Sequence, residues 1–186
     1  MKIETERLIL RPLTEKDIPS LVKNINNLEI SKWLSVVPYP YTEADAEWFV
    51  NHCKENEKEK PKKSYNFSIQ LKGGQGVIGG LGLSSVNEKG GIADIGYWLG
   101  QDYWRQGIIS EANTALLDYA FNVLKLKKIK ISLFEGNQGS EGMAKHLRAK
   151  LEGFADKKVT CKATGKQHRE KVYWVHREDW LKRILK

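Results

Sequence analysis

Arg105-Gln106-Gly107-Ile108-Ile109-Ser110 combines a guanidinium, a glycine and a helix start, which is how a chain prepares to hold an anion. The apolar run Ile95 to Leu99 before it reads as a strand, and a short polar turn separates the two. After it, Ala112, Ala115, Leu116, Tyr119, Ala120 and Val123 recur at helical spacing. A loop that opens a helix presents unpaired backbone N–H groups and the positive end of the dipole. Gly107 lets the backbone approach a ligand without a Cβ in the way. A plain βα connection often carries the same glycine, so this loop alone leaves both readings open.

The chain of 186 residues carries a net charge of +8, with 40% apolar and 29% charged residues. That length and composition suit one globular domain over 1–186 with a proper core. No apolar run approaches the roughly 18–20 residues that a membrane span requires. The start, Met1-Lys-Ile-Glu-Thr-Glu-Arg7, lacks the apolar core of a signal peptide, so a cytoplasmic location is expected and no membrane partner. Cys53 and Cys161 show no CxxC, and His52, His146, His168 and His176 form no metal-binding pattern. Two reduced thiols and no metal are therefore expected. The positive balance invites a nucleic-acid reading, but much of it sits in the mixed-sign run Lys54 to Lys63 and in scattered lysines. Direct nucleic-acid recognition is not expected; the excess suits an anionic cosubstrate or docking on a ribonucleoprotein.

The elements that must position the loop follow in order. Leu8 to Leu13 alternates as a strand, and Thr14 and Thr42 each read as the N-cap of a helix. Tyr65 to Leu71, Gly76 to Val86 and Ile92 to Leu99 form a meander with Gly-rich turns. A helix from Ser110 to Leu124, a strand from Lys128 to Phe134, a helix from Ser140 to about Lys150 and a last strand from Lys171 to Val175 complete the set. This order predicts an α+β domain with a mixed sheet and helices on its faces.

Four blocks of the chain together resemble the GNAT superfamily of acyl-CoA-dependent N-acetyltransferases. They are Thr5-Glu-Arg-Leu-Ile-Leu-Arg-Pro-Leu-Thr-Glu-Lys-Asp17, Gly76-Val-Ile-Gly-Gly-Leu-Gly-Leu83, Ile95 to Ala112, and Asn137-Gln-Gly-Ser140 followed by Gly153-Phe154. Within the superfamily the chain is similar to the Rim-type ribosomal-protein alanine/serine N-terminal acetyltransferases and to the spermidine acetyltransferases. The resemblance implies the GNAT fold: a mostly antiparallel central sheet with one splayed strand pair and helices on both faces. It also implies acetyl-CoA as cosubstrate. The pantetheine arm would lie along Tyr97, Trp98 and Leu99 as a pseudo-strand, and the loop Arg105, Gln106, Gly107, Ile108, Ile109 and Ser110 would wrap the pyrophosphate. Two positions depart from the family pattern: Trp104 stands where Arg or Gln is usual, and Ile109 where Gly or Ala is usual. Binding through backbone N–H groups is expected to survive both, with Arg105 supplying the charge.

Amide formation at a thioester requires a neutral amine and a protonated leaving thiolate. An α-amino group, with a pKa about 7.7–8, requires less help from a base than a lysine amine at about 10.4. Asp94, which opens the splayed strand and alternates with Gly96 and Trp98, is the expected base; Glu135 is the runner-up, and water is a third option. The resemblance assigns Ser140 to the departing thiolate and Asn137 to the pantetheine, while the family's usual tyrosine acid has no counterpart before Gly153. Ser140 as a plain helix cap remains the competing reading. The segment from Ser140 to Gly153 exceeds the family length by about one helical turn, so an extended or bulged helix is expected. Trp33, Tyr39 and Tyr41 fall where this branch builds the acceptor wall. With no acidic cluster to attract a polyamine or an aminoglycoside, a protein or peptide N-terminus is the favoured acceptor, and a small amine is the alternative. A catalytically degenerate acetyl-CoA sensor is the alternative to an enzyme. A homodimer is compatible with the sequence.

Overall fold

The computed structural model describes residues 1–183. Its strands are β1 (Ile3–Glu4), β2 (Leu8–Arg11), β3 (Tyr65–Leu71), β4 (Gly79–Asn87), β5 (Ile92–Leu99), β6 (Lys128–Phe134), β7 (Lys150–Phe154), β8 (Val159–Thr160), β9 (Gln167–His168) and β10 (Glu170–His176). Its helices are α1 (Ile18–Ile25), α2 (Leu28–Ser31), α3 (Glu43–Lys58), α4 (Ile108–Asn122), α5 (Gln138–His146) and α6 (Arg177–Leu181). Eight strands form one sheet in the order β1-β2-β3-β4-β5-β6-β10-β7, and β8 pairs with β9 as a separate hairpin. Only β5 and β6 run parallel; the other neighbours are antiparallel.

Alternation in the strands divides the sheet into two faces. On one face Ile95, Leu99, Ile129, Ile131 and Val175 meet α4 through Leu116, Leu117, Ala120 and Phe121, all buried. On the other, α1 and α3 bury Ile18, Leu21, Ile25, Ala46, Val50 and Cys53. Full burial of one such aliphatic side chain contributes about 1.5–3 kcal/mol, so these helix faces hold the two layers to the sheet. Thr42 begins α3 as expected: its hydroxyl accepts from the Asp45 amide, and the Asp45 carboxylate accepts from the Thr42 N–H. Thr14 and Asp17 make the same reciprocal contact one turn before α1, where Asp17 also holds the Arg11 guanidinium at 2.7 Å.

The stretch after β6 departs from expectation. Helix α5 ends at His146, not near Lys150, because Arg148 adopts a left-handed φ of 55° and the Ala149 N–H closes back on the Ala144 carbonyl. The extra residues therefore build β7, with Gly153 and Phe154 at its end, and the helix is neither longer nor bulged. The hairpin β8–β9 was not evident from the sequence. The turn between its strands reaches across to α2 and the segment after it: the Cys161 thiol faces the Ser31 carbonyl at 3.5 Å, and the Lys162 N–H donates to the Ser35 carbonyl at 3.0 Å. Both cysteines are free and buried, and burial pushes the Cys53 thiol up to about 12.

Candidate active site

The β5–β6 pairing stops at Ile95↔Ile131. Beyond that point β5 continues along β4 to Leu99↔Gly79, and β6 continues along β10 to Phe134↔Glu170. The two strands diverge, and the β6-facing backbone edge of Gly96 to Leu99 is left without a strand partner. A cavity of about 930 Å³ opens in this gap, lined among others by Tyr97, Trp98, Leu99, Ser132 and Ser140.

At one end of the cavity lies the start of α4. Gly107 takes a left-handed φ of 74° at the N-cap, with no side-chain cap, so the first amides of the helix point outward. Arg105 also adopts a positive φ, 59°, and lines the cavity with Gly107, Ile108, Ile109 and Ser110. Gln106 does not line it; its carbonyl accepts from Arg7 Nη1 at 3.0 Å and its side chain donates to the Asp102 carbonyl. Arg7 Nε in turn pairs with Glu111 Oε2 at 2.6 Å, which braces the loop from behind. Trp104 donates its indole N–H to the Leu99 carbonyl at 2.8 Å, tying the loop to the end of β5. Ile109 packs partly into the core beneath the loop while also lining the cavity. These features fit acetyl-CoA: an unpaired strand edge for an amide-bearing arm, and a helix N-terminus for phosphate.

Gly80 explains part of the glycine-rich block on β4. A Cβ there would stand 2.6 Å from Trp98 Nε1, so the glycine gives the indole room to lie over β4. Trp98 thereby reaches both the cleft and the α1–α3 core.

Near the middle of the cleft, Asn137 is the N-cap of α5, its Oδ1 accepting from the Ser140 N–H at 3.1 Å. Ser140 is not the cap. It lines the cleft with Tyr97, whose Oη is buried and, among the described residues, has no partner at hydrogen-bonding geometry. Burial pushes the Tyr97 phenol up, and Ser140 draws it partly back. Tyr97 is therefore a buried, protonated phenol on β5. The alternation of β5 held this information, because Tyr97 shares the face of Ile95 and Leu99.

The carboxylates are placed less simply. Asp94 pairs with Lys130 at 3.1 Å on the neighbouring strand and does not line the cleft. Glu135 is exposed beyond the end of β6 and lies outside it as well. Glu170, which the sequence reading did not single out, does line it, and burial pushes its carboxyl up, with Lys130 opposing and Asp94 adding. Its only signal in the sequence was its position at the start of the last strand.

Of the expected acceptor residues, Trp33 lines the cleft together with Glu29, Lys32 and Ser35. Tyr41 does not join it. Its ring is buried in the α1–α3 core, its amide donates to Asn26 Oδ1, and burial pushes the phenol up. Tyr39 is 45% exposed and lies outside the cleft. Glu43, Asp45 and Glu47 lie on α3 and do not line the cleft. Among the described residues no group of three or more His, Cys, Asp or Glu could hold a metal ion, and no helix is long and apolar enough to cross a membrane.

The profile of the acetyltransferase (GNAT) domain matches residues 7–150. The chain belongs to the GNAT acetyltransferases. It is 30% identical over 150 residues to the uncharacterized N-acetyltransferase p20 of Bacillus licheniformis, covering 81% of this chain and 83% of that one. Among solved structures, the ribosomal-protein-S5-alanine acetyltransferase of Vibrio fischeri superposes with a TM-score of 0.80 at 18% identity, covering 97% and 98% of the two chains. The microcin C7 self-immunity acetyltransferase MccE, solved with acetyl-CoA and AMP, superposes at 0.78 with 20% identity, covering 92% and 93%. At those identities the likeness is one of fold. Acetyl transfer of the GNAT type, with acetyl-CoA as donor, goes with membership of the family.

Proposed function

We propose that this acetyltransferase acts on the α-amino group of a protein or peptide N-terminus, within a ternary complex in the cytoplasm. The observation that carries this reading is the charge of the cleft. Its acidic lining residues are Glu29 and Glu170, and Lys32 and Arg105 stand among them; Glu29 is itself paired with Lys32 at 2.5 Å. A polycation would find no acidic funnel here, whereas a single amine on an uncharged peptide backbone finds a groove walled by Trp33, Leu34 and Ser35. The Vibrio fischeri neighbour, by its name, acetylates a ribosomal protein.

In this reading each part of the cleft has a task. The unpaired strand edge at Tyr97, Trp98 and Leu99, where only the Leu99 carbonyl is already taken by Trp104 among the described residues, orients the pantetheine. The amides of Ile108, Ile109 and Ser110, with Gly107 and Arg105, hold the pyrophosphate. Asn137 spends its carbonyl on the cap, which leaves its Nδ2 to donate to the pantetheine. Ser140, backed by the Tyr97 hydroxyl, donates to the sulfur as the thiolate leaves. Acetyl-CoA supplies the activated acetyl group when bound. The test is release of CoA thiol over a panel of N-terminal peptides, spermidine and aminoglycosides. Peptides are expected to give the highest kcat/KM; activity confined to polyamines would overturn the acceptor assignment.

A further inference from the structure

Among the described residues, Glu170 is the one carboxylate of the cleft lining that no ion pair occupies. It stands on β10 opposite Phe134, past the point where β6 leaves β5, and lines the cleft there. Asp94 and Lys130 sit opposite one another on the next two strands and are held together at 3.1 Å. Lys130 lies opposite Trp174, four residues along β6 from the Phe134 that faces Glu170, so the pair shares the sheet face of Glu170.

We propose that Glu170 is the general base that takes the proton from the acceptor amine, with the Lys130–Asp94 pair further along the same sheet face. The inference rests on the acetyl-transfer reading above. Asp94 is a poorer base by position, because its carboxylate is spent on Lys130 and lies outside the cleft lining. The half-buried setting of Glu170 makes its carboxylate more basic than an exposed one, which moves it toward the operating pH of the reaction.

Most of the other charged or titratable groups around the cleft are engaged elsewhere. The Arg169 guanidinium stacks on Phe154 at 3.9 Å, and Lys171 pairs with Glu141 at 2.8 Å. Glu29 and Lys32 pair with each other on the α2 wall. His168 stacks on Phe134 at 4.4 Å, and His146 lines the cleft from α5. Proton balance is simple. From a bound ammonium, Glu170 accepts one proton and returns it to solvent. The freed lone pair forms the N–C bond as the C–S bond breaks. The nitrogen loses a second proton to solvent, and Ser140 passes one to the sulfur and is reprotonated from solvent. The products are an amide, a thiol and one released proton.

Two measurements on the full chain test this. The first is kcat/KM for the amine against pH in the wild type, Glu170→Gln, Glu170→Asp, Lys130→Gln and Asp94→Asn, with the melting temperature and the acetyl-CoA Kd of each variant recorded. The second follows the Glu170 carboxyl by NMR titration without any substrate. Glu170→Gln is expected to lose about 100-fold or more in kcat/KM at unchanged acetyl-CoA affinity, with Glu170→Asp recovering part of the loss. Lys130→Gln should move both the acidic limb of the profile and the NMR midpoint to higher pH, because a stabilising cation is gone. Asp94→Asn should move both to lower pH. A purely structural role predicts no such opposed pair of shifts. The proposal is overturned if Glu170→Gln keeps its turnover within threefold, or if the two neighbours fail to shift the midpoint in opposite directions. A wild type that turns over no amine would overturn the acetyl-transfer reading as well, which separates that failure from this one.

Discussion

Asn137 caps α5 through its side chain and Ser140, three residues on, receives that contact only through its backbone N–H, at 3.1 Å. Cap and hydroxyl are thus divided between two residues, and the division separates stability from turnover. Loss of a side-chain N-cap costs about 1 kcal/mol. Asn137→Ala is therefore expected to lower the melting temperature, and Ser140→Ala to leave it nearly unchanged. Ser140→Ala should instead lower kcat with little change in the Michaelis constant for acetyl-CoA, as a group that acts when the thiolate departs should. Thermal melts and steady-state kinetics of the two variants check both halves. Tyr97→Phe, which removes the hydroxyl behind Ser140, should follow the kinetic pattern of Ser140→Ala more weakly.

Gly107 governs the loop through its backbone. A Cβ there would meet only Arg7 Nη2, at 3.4 Å, so space permits a side chain, but a φ of 74° does not suit a branched one. Left-handed backbone costs an ordinary residue roughly 1–2 kcal/mol, and asparagine least. Gly107→Val should weaken acetyl-CoA binding by tenfold or more in calorimetry, with Gly107→Asn between it and the wild type. Equal losses in the two variants would mean that bulk, not backbone shape, decides.

Gly80 gives the opposite case, where space alone decides. The Cβ of Gly80→Ala would sit 2.6 Å from the Trp98 indole nitrogen, closer than any relaxed contact. The ring must shift, and it lines the cleft. A changed Trp98 fluorescence together with a raised Michaelis constant is the expected result, with most of the stability retained.

The buried Asp17 contributes to the response to acid. Burial alone would raise its pKa, but the Arg11 guanidinium and the Thr14 N–H and hydroxyl hold it below the ordinary carboxylate value. A depressed folded pKa contributes stability that is present above the unfolded value, about 3.9, and is lost as pH falls through the folded one. Asp17→Asn should thus destabilise the protein by about 3 kcal/mol at pH 7, and the difference from wild type should shrink below pH 4. Denaturant melts at pH 7 and pH 3.5 check the sign.

Much of the fold was legible because alternation and capping are local. Tyr65–Leu71, Ile92–Leu99 and Lys128–Phe134 occupy the expected strand spans, and Thr14 and Thr42 start their helical segments. The end of α5 was not legible, since Arg148 in a left-handed turn carries no glycine to announce it. Nor was the β8–β9 hairpin, whose two-residue strands depend on contacts with α2 that lie far away in sequence. At the site, the loop around Gly107 was visible from residue types. Glu170 was not, because its place in the cleft depends on where β6 leaves β5, and no spacing within one segment encodes that.

The most direct test of the account is CoA thiol release by the purified protein with acetyl-CoA and a short peptide bearing a free N-terminal amine, beside the same peptide with its amine blocked and beside spermidine at equal ionic strength. The account predicts turnover of the free peptide, none of the blocked one, and a kcat/KM for the peptide above that for spermidine. Spermidine ahead by tenfold or more, or no dependence on the free amine, would contradict it.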